Sequence, residues 1–392
     1  MAAWCLVCCG VGLAVASVVP SAQHYVDGTV EYDITWEDKE DMPVAVSDAT
    51  ASAVGGVIYV IGGCDDAKGN SRVGGNETHP FHACIDIADH VMIYRPLQPG
   101  WTLSSSKMMM ARYRHAAVVV GTDIYVVGGR NVLDQLLTSV LRYSTTDDAW
   151  STVGDFPGAT SDNAAFEHGG AVIACGGYNH DYSGAQASCH ILEPEAEQPA
   201  FIPWAASLAT GRGDFSIVRL QDAAYAYGGF DSSFTALASI ERVRLQGTAG
   251  QLAWETMPAA MRHARGDFAA AALHGRLLAI GGESGTNALD AGASLRHVEA
   301  FSPQTAAWLG ELHLAPIPHA TFRFCAAAVR NSVYIFGGQR AFNASCDCYP
   351  THSGVFVYHE RATRIADGTV PRTVVLAPWA AALAGAALAT QP

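Results

Sequence analysis

Ile58-Tyr59-Val60-Ile61-Gly62-Gly63 is the stretch on which the fold turns, because the chain repeats its pattern five more times. The further copies are Ile124-Tyr-Val-Val-Gly128-Gly129, Val172-Ile-Ala-Cys-Gly176-Gly177, Ala224-Tyr-Ala-Tyr-Gly228-Gly229, Leu277-Leu-Ala-Ile-Gly281-Gly282 and Val333-Tyr-Ile-Phe-Gly337-Gly338. Successive first glycines stand 66, 48, 52, 53 and 56 residues apart. Each copy is a short apolar run of strand-forming residues that ends where a glycine pair permits positive φ. A loop, a second apolar run and a Trp follow: Trp101, Trp150, Trp204, Trp254 and Trp308, with Trp36 ahead of the first pair. Self-similarity at this period means one supersecondary unit repeated side by side.

A glycine pair, a strand and a Trp at about 50 residues resemble the kelch repeat. The resemblance runs from Tyr32 to about Ile365. It implies an all-β, six-bladed propeller, each repeat a four-stranded antiparallel blade around a central channel. Tyr94 to Trp101 and Tyr143 to Trp150 are seven residues apart, and the same count from Tyr358 reaches Ile365 instead of Trp. The spare Trp is Trp36, so 30–37 is expected to supply the outer strand of blade six. A closed ring leaves no sheet edge exposed. The long first spacing is read as an insertion between Gly63 and Asp89.

Composition and termini bound the setting. Charged residues are 15% and apolar ones 49% of 392, and 39 glycines serve many turns. A net charge of −14 excludes the basic face of a nucleic-acid binder. Residues 1–22 have the order of a secretory signal peptide, though without a Lys or Arg ahead of the apolar run. Residues 23–370 are read as the propeller. Residues 371–392 form an apolar tail, a candidate lipid-anchor signal, with a membrane contact or a disordered Ala-rich tail as alternatives. Export would permit disulfides. Cys64 and Cys84 flank the insertion, and Cys175 and Cys189 suit a cross-strand bridge. Pairing of Cys64 or Cys84 with Cys346 or Cys348 stays open. Asn76 and Asn343 begin glycosylation sequons.

The residues fourteen before each first glycine, where the channel-lining strand begins, are Asp48, Arg114, Asp162, Asp214, Asp267 and Arg323. All six are charged. Sixteen before lie Val46, Arg112, Thr160, Arg212, Arg265 and Thr321. Offsets of two share one face of a strand, so both columns are expected on one channel rim. Five Arg against four Asp would leave that rim slightly positive. One reading is a ring of structural ion pairs. The other is a ligand pocket of Arg112, Arg114, Asp162, Arg212, Asp214, Arg265, Asp267 and Arg323, taking a protein or an acidic glycan.

Two Arg-Gly-Asp-Phe strings, 212–215 and 265–268, fall at one repeat position and are read as repeat inheritance, not as integrin-type tripeptides. Copper-radical oxidases related to galactose oxidase share the propeller. That resemblance implies two Tyr, two His and a Tyr–Cys cross-link at copper. Tyr178, His180 and Tyr182 occupy one loop here, and a matching second Tyr–His pair is missing. No catalytic residue, metal or cofactor is assigned. The expected function is an extracellular or cell-surface binding protein; the alternative is a carbohydrate-active enzyme, an oxidase or a sugar epimerase.

Overall fold

The computed structural model describes residues 23–364 except 28–29, 66–69, 77–78, 99, 159, 181, 183, 247–251, 286–293, 310–313, 342, 344 and 346–347. The expected signal peptide, the C-terminal tail and Cys346 lie outside the described residues.

Six antiparallel sheets follow one another along the chain, with strands a to d running outward from the axis. Blade one is Thr50–Val54, Val57–Ile61, His90–Tyr94 and Trp101–Lys107; blade two is Ala116–Val120, Asp123–Val127, Ser139–Ser144 and Ala149–Asp155. Blade three is Ala164–His168, Ala171–Cys175, Cys189–Leu192 and Ile202–Pro203; blade four is Ser216–Leu220, Ala223–Tyr227, Ser239–Arg244 and Trp254–Ala260. Blade five is Ala269–Leu273, Arg276–Ile280, Val298–Ser302 and Ala307–Leu309. Each strand a touches that of the next blade, and blade six touches blade one. The fold is therefore the all-β, six-bladed propeller that the repeat implies.

Blade six closes the ring with both ends of the chain. Cys325–Val329, Ser332–Phe336 and Val355–Arg364 are its strands a to c, and Val30–Lys39 is its strand d. Trp36 stands opposite Tyr358, the register that counting suggested. Its indole Nε1 donates to the Ala315 carbonyl over 3.1 Å, and its ring meets Tyr358 edge-on at 5.2 Å. A fifth strand, Gln23–Asp27, pairs with Val30–Lys39 and, among the described residues, has no counterpart in the other blades.

Strand b is buried over at least four of its five residues in every blade, because both its faces meet neighbouring sheets. Apolar clusters fill the gaps between blades; Phe166, Trp204 and Trp254, for example, pack where blades three and four meet. The glycine pairs have a steric cause. A Cβ on Gly62 would run into the Arg112 carbonyl of the next blade, and φ is +62° there. The second glycine of each pair donates its N–H to that same carbonyl column, as Gly63 does to Arg112 at 3.0 Å and Gly338 to Val46 at 2.9 Å. The motif is thus a backbone-to-backbone weld between blades.

Cys64 bonds to Cys84 across the insertion, whose strands Asn70–Asn76 and His79–Cys84 form a hairpin. Cys175 bonds to Cys189, directly opposite on strands b and c. Cys348 is also disulfide-bonded, and Cys325 is a buried free thiol. Asn343 is exposed, and Asn76 ends the first hairpin strand.

Candidate functional site

The six charged residues at strand-a offset fourteen form a closed backbone ring. Arg114 donates its N–H to the Asp48 carbonyl, Asp162 to Arg114, Asp214 to Asp162, Asp267 to Asp214, Arg323 to Asp267 and Asp48 to Arg323, all at 2.8–3.0 Å. Each residue serves one neighbour with its N–H and the other with its carbonyl. All six hold φ between 53° and 58°, the left-handed region that L-residues rarely enter. Asp tolerates that region better than most residues, and four of the six positions are Asp. The backbone is fully used, so the side chains are what the channel offers.

Those side chains line a cavity of about 120 Å³ together with His115, Asn163, Phe215, Phe268 and Phe324. Arg114 Nε stands 3.4 Å from Asp48 and 3.7 Å from Asp162; Arg323 Nε stands 3.1 Å from Asp267 and 3.8 Å from Asp48. Asp214, across the ring from Asp48, has carboxylates on both sides. Asp162, Asp214, Asp267 and Glu283 form a run of carboxyls, each acting on the next.

Burial, then the charges of Asp162 and Asp267, push Asp214 well above the usual carboxylate range. Burial and Asp267 push Glu283 up to about 8. Burial raises Asp48 despite Arg323 and Arg114. At Asp267 those two guanidinium groups, with hydrogen bonds from Asp214 and Glu283, outweigh burial and hold its carboxyl below the ordinary value. Burial and the nearby Arg112 drive His115 down to about 3, so it is neutral.

The second column does not join this rim. Arg112, Arg212 and Arg265 are each 0% exposed and bind their own blades. Arg112 donates to the carbonyls of Gly128 at 3.0 Å and Ser139 at 2.7 Å. Arg212 donates to the Gly228 carbonyl at 2.9 Å and pairs with Glu241 at 2.5 Å. Arg265 donates to the Gly281 carbonyl at 2.9 Å and pairs with Glu299. The expectation of one shared face fails for a stated reason. An offset of two preserves the face only through extended residues, and the left-handed residue two positions on breaks the alternation. The expected positive rim fails with it: four Asp and two Arg line the cavity. An anion is therefore not what this cavity favours.

The residue directly after each glycine pair completes the site; Cys64 and Tyr178 stood out in the sequence on other grounds, but the column as a whole did not. This column is Cys64, Arg130, Tyr178, Phe230, Glu283 and Gln339. Each forms a β-bridge just ahead of strand a of its own blade. Arg130 Nε donates to Ser161 Oγ at 2.9 Å, and Gln339 Nε2 to Ser47 Oγ at 3.2 Å. The Tyr178 ring lies where a Cβ on Gly213 would be, and the Phe230 ring does the same at Gly266. The glycine in each Arg-Gly-Asp string is therefore dictated by the aromatic ring of the preceding blade. Neither string is displayed, since its Arg is buried and its Asp lies in the channel.

Tyr182 accepts a hydrogen bond from Arg114 Nη1 at 2.7 Å, and Arg130 stacks on its ring at 4.0 Å. Tyr178 is 1% exposed and its hydroxyl completes no hydrogen bond of good geometry. These two Tyr thus serve the channel wall. Among the described residues no three His, Cys, Asp or Glu side chains are grouped as metal ligands; the carboxyls run as a chain.

The family model described as "KLHDC2/KLHL20/DRC7 Kelch-repeats domain" matches residues 114–338, and the "Kelch motif" matches 45–73. Kelch-like protein 36 of Bos taurus is 26% identical over 264 residues, covering 67% of this chain and 39% of that protein. Kelch domain-containing protein 3 of Bos taurus is 22% identical over 298 residues, covering 74% of this chain and 76% of that protein. Beta-scruin of Limulus polyphemus is 30% identical over 145 residues, 36% of this chain and 14% of that protein. The chain thus spans about two fifths of Kelch-like protein 36. The solved structure titled "Structure of YjhT" superposes with a TM-score of 0.62 at 14% identity, covering 81% of this chain and 95% of that one. Six welded glycine pairs, one blade per repeat and a family match across more than half the sequence establish that the chain belongs to the kelch-repeat family.

Proposed function

We propose that this propeller is a non-catalytic binding protein of the secretory route or cell surface, which docks a protein partner on the face made by its b–c and d–a loops. Kelch propellers typically mediate protein–protein binding. One observation carries the reading. Among the described residues nine large apolar side chains are exposed, and six of them, Ile85, Met109, Met110, Val132, Leu133 and Phe234, sit on loops of that face. Exposed apolar groups gathered on one face mark an interaction surface.

The loops that carry them are braced. Asn131 Oδ1 accepts from the N–H groups of Leu133 and Gln135, and Asp231 Oδ1 from those of Ser233 and Thr235. Phe234 packs on Tyr178 at 5.5 Å. A pre-shaped surface loses little entropy on binding. The apolar N-terminus and the disulfides support export. The charge of the cavity favours a protein over an acidic glycan.

The test is a photo-crosslinking amino acid placed at 133 or 234, with 97 and 202 as controls on other surfaces. A discrete protein adduct should form at 133 and 234, and Leu133→Ser with Phe234→Ser should abolish it. Adducts of equal yield at all four positions would refute the docking face.

A further inference from the structure

We propose that the channel cavity receives a basic side chain, a lysine or an arginine, presented by the protein docked on this face. The proposal rests on the docking reading above and names the chemistry of its anchor.

The first support is the uneven distribution of charge around the ring. Arg114 lies between Asp48 and Asp162 and Arg323 between Asp48 and Asp267, so among the described residues Asp214 is the ring carboxyl with no guanidinium within ion-pair distance. The opposite arc, from Asp162 through Asp214 and Asp267 to Glu283, has adjoining carboxyls, and Asp214 has carboxyls on both sides. Like charges packed this closely need protons or a cation between them.

A second, independent support is a set of buried polar atoms left without a hydrogen bond. Asp162 Oδ2, both amide atoms of Asn163, and His115 Nδ1 have none, and all three residues line the cavity. Asp162 is 9% exposed, Asn163 6% and His115 5%. The Tyr178 hydroxyl faces the Asp214 carboxyl and completes no hydrogen bond of good geometry. A buried polar atom without a partner costs about 1–3 kcal/mol. An ammonium has three donors and no acceptor, which matches the carboxylates, the Asn163 Oδ1 and the Tyr178 oxygen; the Asn163 Nδ2 donor is not served by it.

The remaining wall suits the stem of such a side chain. Phe215, Phe268 and Phe324 line the cavity on blades four, five and six. Lys and Arg lay their methylenes on apolar surface while the charged head meets polar groups, and a cation over an aromatic face gains further attraction. The cavity has a volume of about 120 Å³. That admits the end of one side chain and excludes a folded segment.

The experiment titrates the full chain with capped pentapeptide pools whose central residue is fixed as Lys, Arg, Gln or Glu, read by fluorescence anisotropy. Lys and Arg pools should bind at least tenfold tighter than Gln and Glu pools. Asp214→Asn should erase that preference; Glu283→Gln serves as a second variant, with thermal melts showing that each folds. Equal binding of all pools, a preference for Glu, no binding of any pool, or a preference unchanged by both folded variants overturns the proposal. Loss of pool binding in Leu133→Ser/Phe234→Ser tests the docking face separately. If Gln or Glu pools bind and those substitutions abolish it, the face stands and the basic anchor falls.

Discussion

Asp214 donates its backbone N–H to the Asp162 carbonyl at 3.0 Å, while its carboxyl adjoins the Asp162 carboxyl. The backbone bond holds the two residues together, and burial with the crowding of the carboxyls raises the pKa of the Asp214 carboxyl. Every blade contributes to the ring of such bonds, so no single side chain can withdraw without breaking it. The crowded carboxyls are thus maintained by the architecture around them.

Two substitutions separate backbone from charge at this point. Asp214→Asn and Asp214→Ala both remove the carboxyl, but Asn tolerates φ of 53° and Ala does not. The Ala variant should be less stable than the Asn variant by about 1–2 kcal/mol, measured by urea denaturation. Equal stability would mean that the left-handed turn relaxes.

Arg212 should be structural. Its pair with Glu241 is fully buried on both sides, and Glu241 also accepts the N–H groups of Ala209 and Thr210. Arg212→Met leaves a buried carboxylate uncompensated and should cost about 3–5 kcal/mol. The double variant Arg212→Met/Glu241→Leu should recover part of that loss in the same denaturation assay.

Glu283 should make the fold less stable as pH rises. Its carboxyl goes from an ordinary 4.5 in the unfolded chain to about 8 in the fold. Between those values the folded state holds the extra proton, so stability falls with increasing pH. Asp267, held below its ordinary value, acts in the opposite sense, and its stabilisation is lost only in acid. Glu283→Gln removes the first effect and keeps a side-chain donor toward Asp267. Its stability advantage over the wild type should grow from pH 5 to pH 8, reaching a few kcal/mol, roughly. Parallel stability curves across that range would contradict this.

Trp36 should be the clasp of the ring. It is 2% exposed and hydrogen-bonded to Ala315. Trp36→Ala should cost about 3–5 kcal/mol. Deleting 23–40 should leave Val355–Arg364 as an open edge and cause aggregation, read by light scattering. An undiminished melting temperature in the deletion would refute the closure.

The propeller, its six blades and its closure are written in the repeat. A glycine pair works as a weld only if it recurs once per blade, so it left a period to read. The seven-residue step from Tyr to Trp is local register along a hairpin, and Trp36 could be placed by counting. The column holding Arg114, Asp162, Asp214, Asp267 and Arg323 was legible on the same ground. Only the tertiary structure decided what that column does. Arg112, Arg212 and Arg265 left the channel because one left-handed residue breaks the strand alternation, a dihedral that composition does not announce. Glu241 and Glu299 pair across 29 and 34 residues, and Glu283 reaches Asp267 through the fold. The charge of the cavity is a sum over strands brought together by closure, so it exists only once the ring is complete.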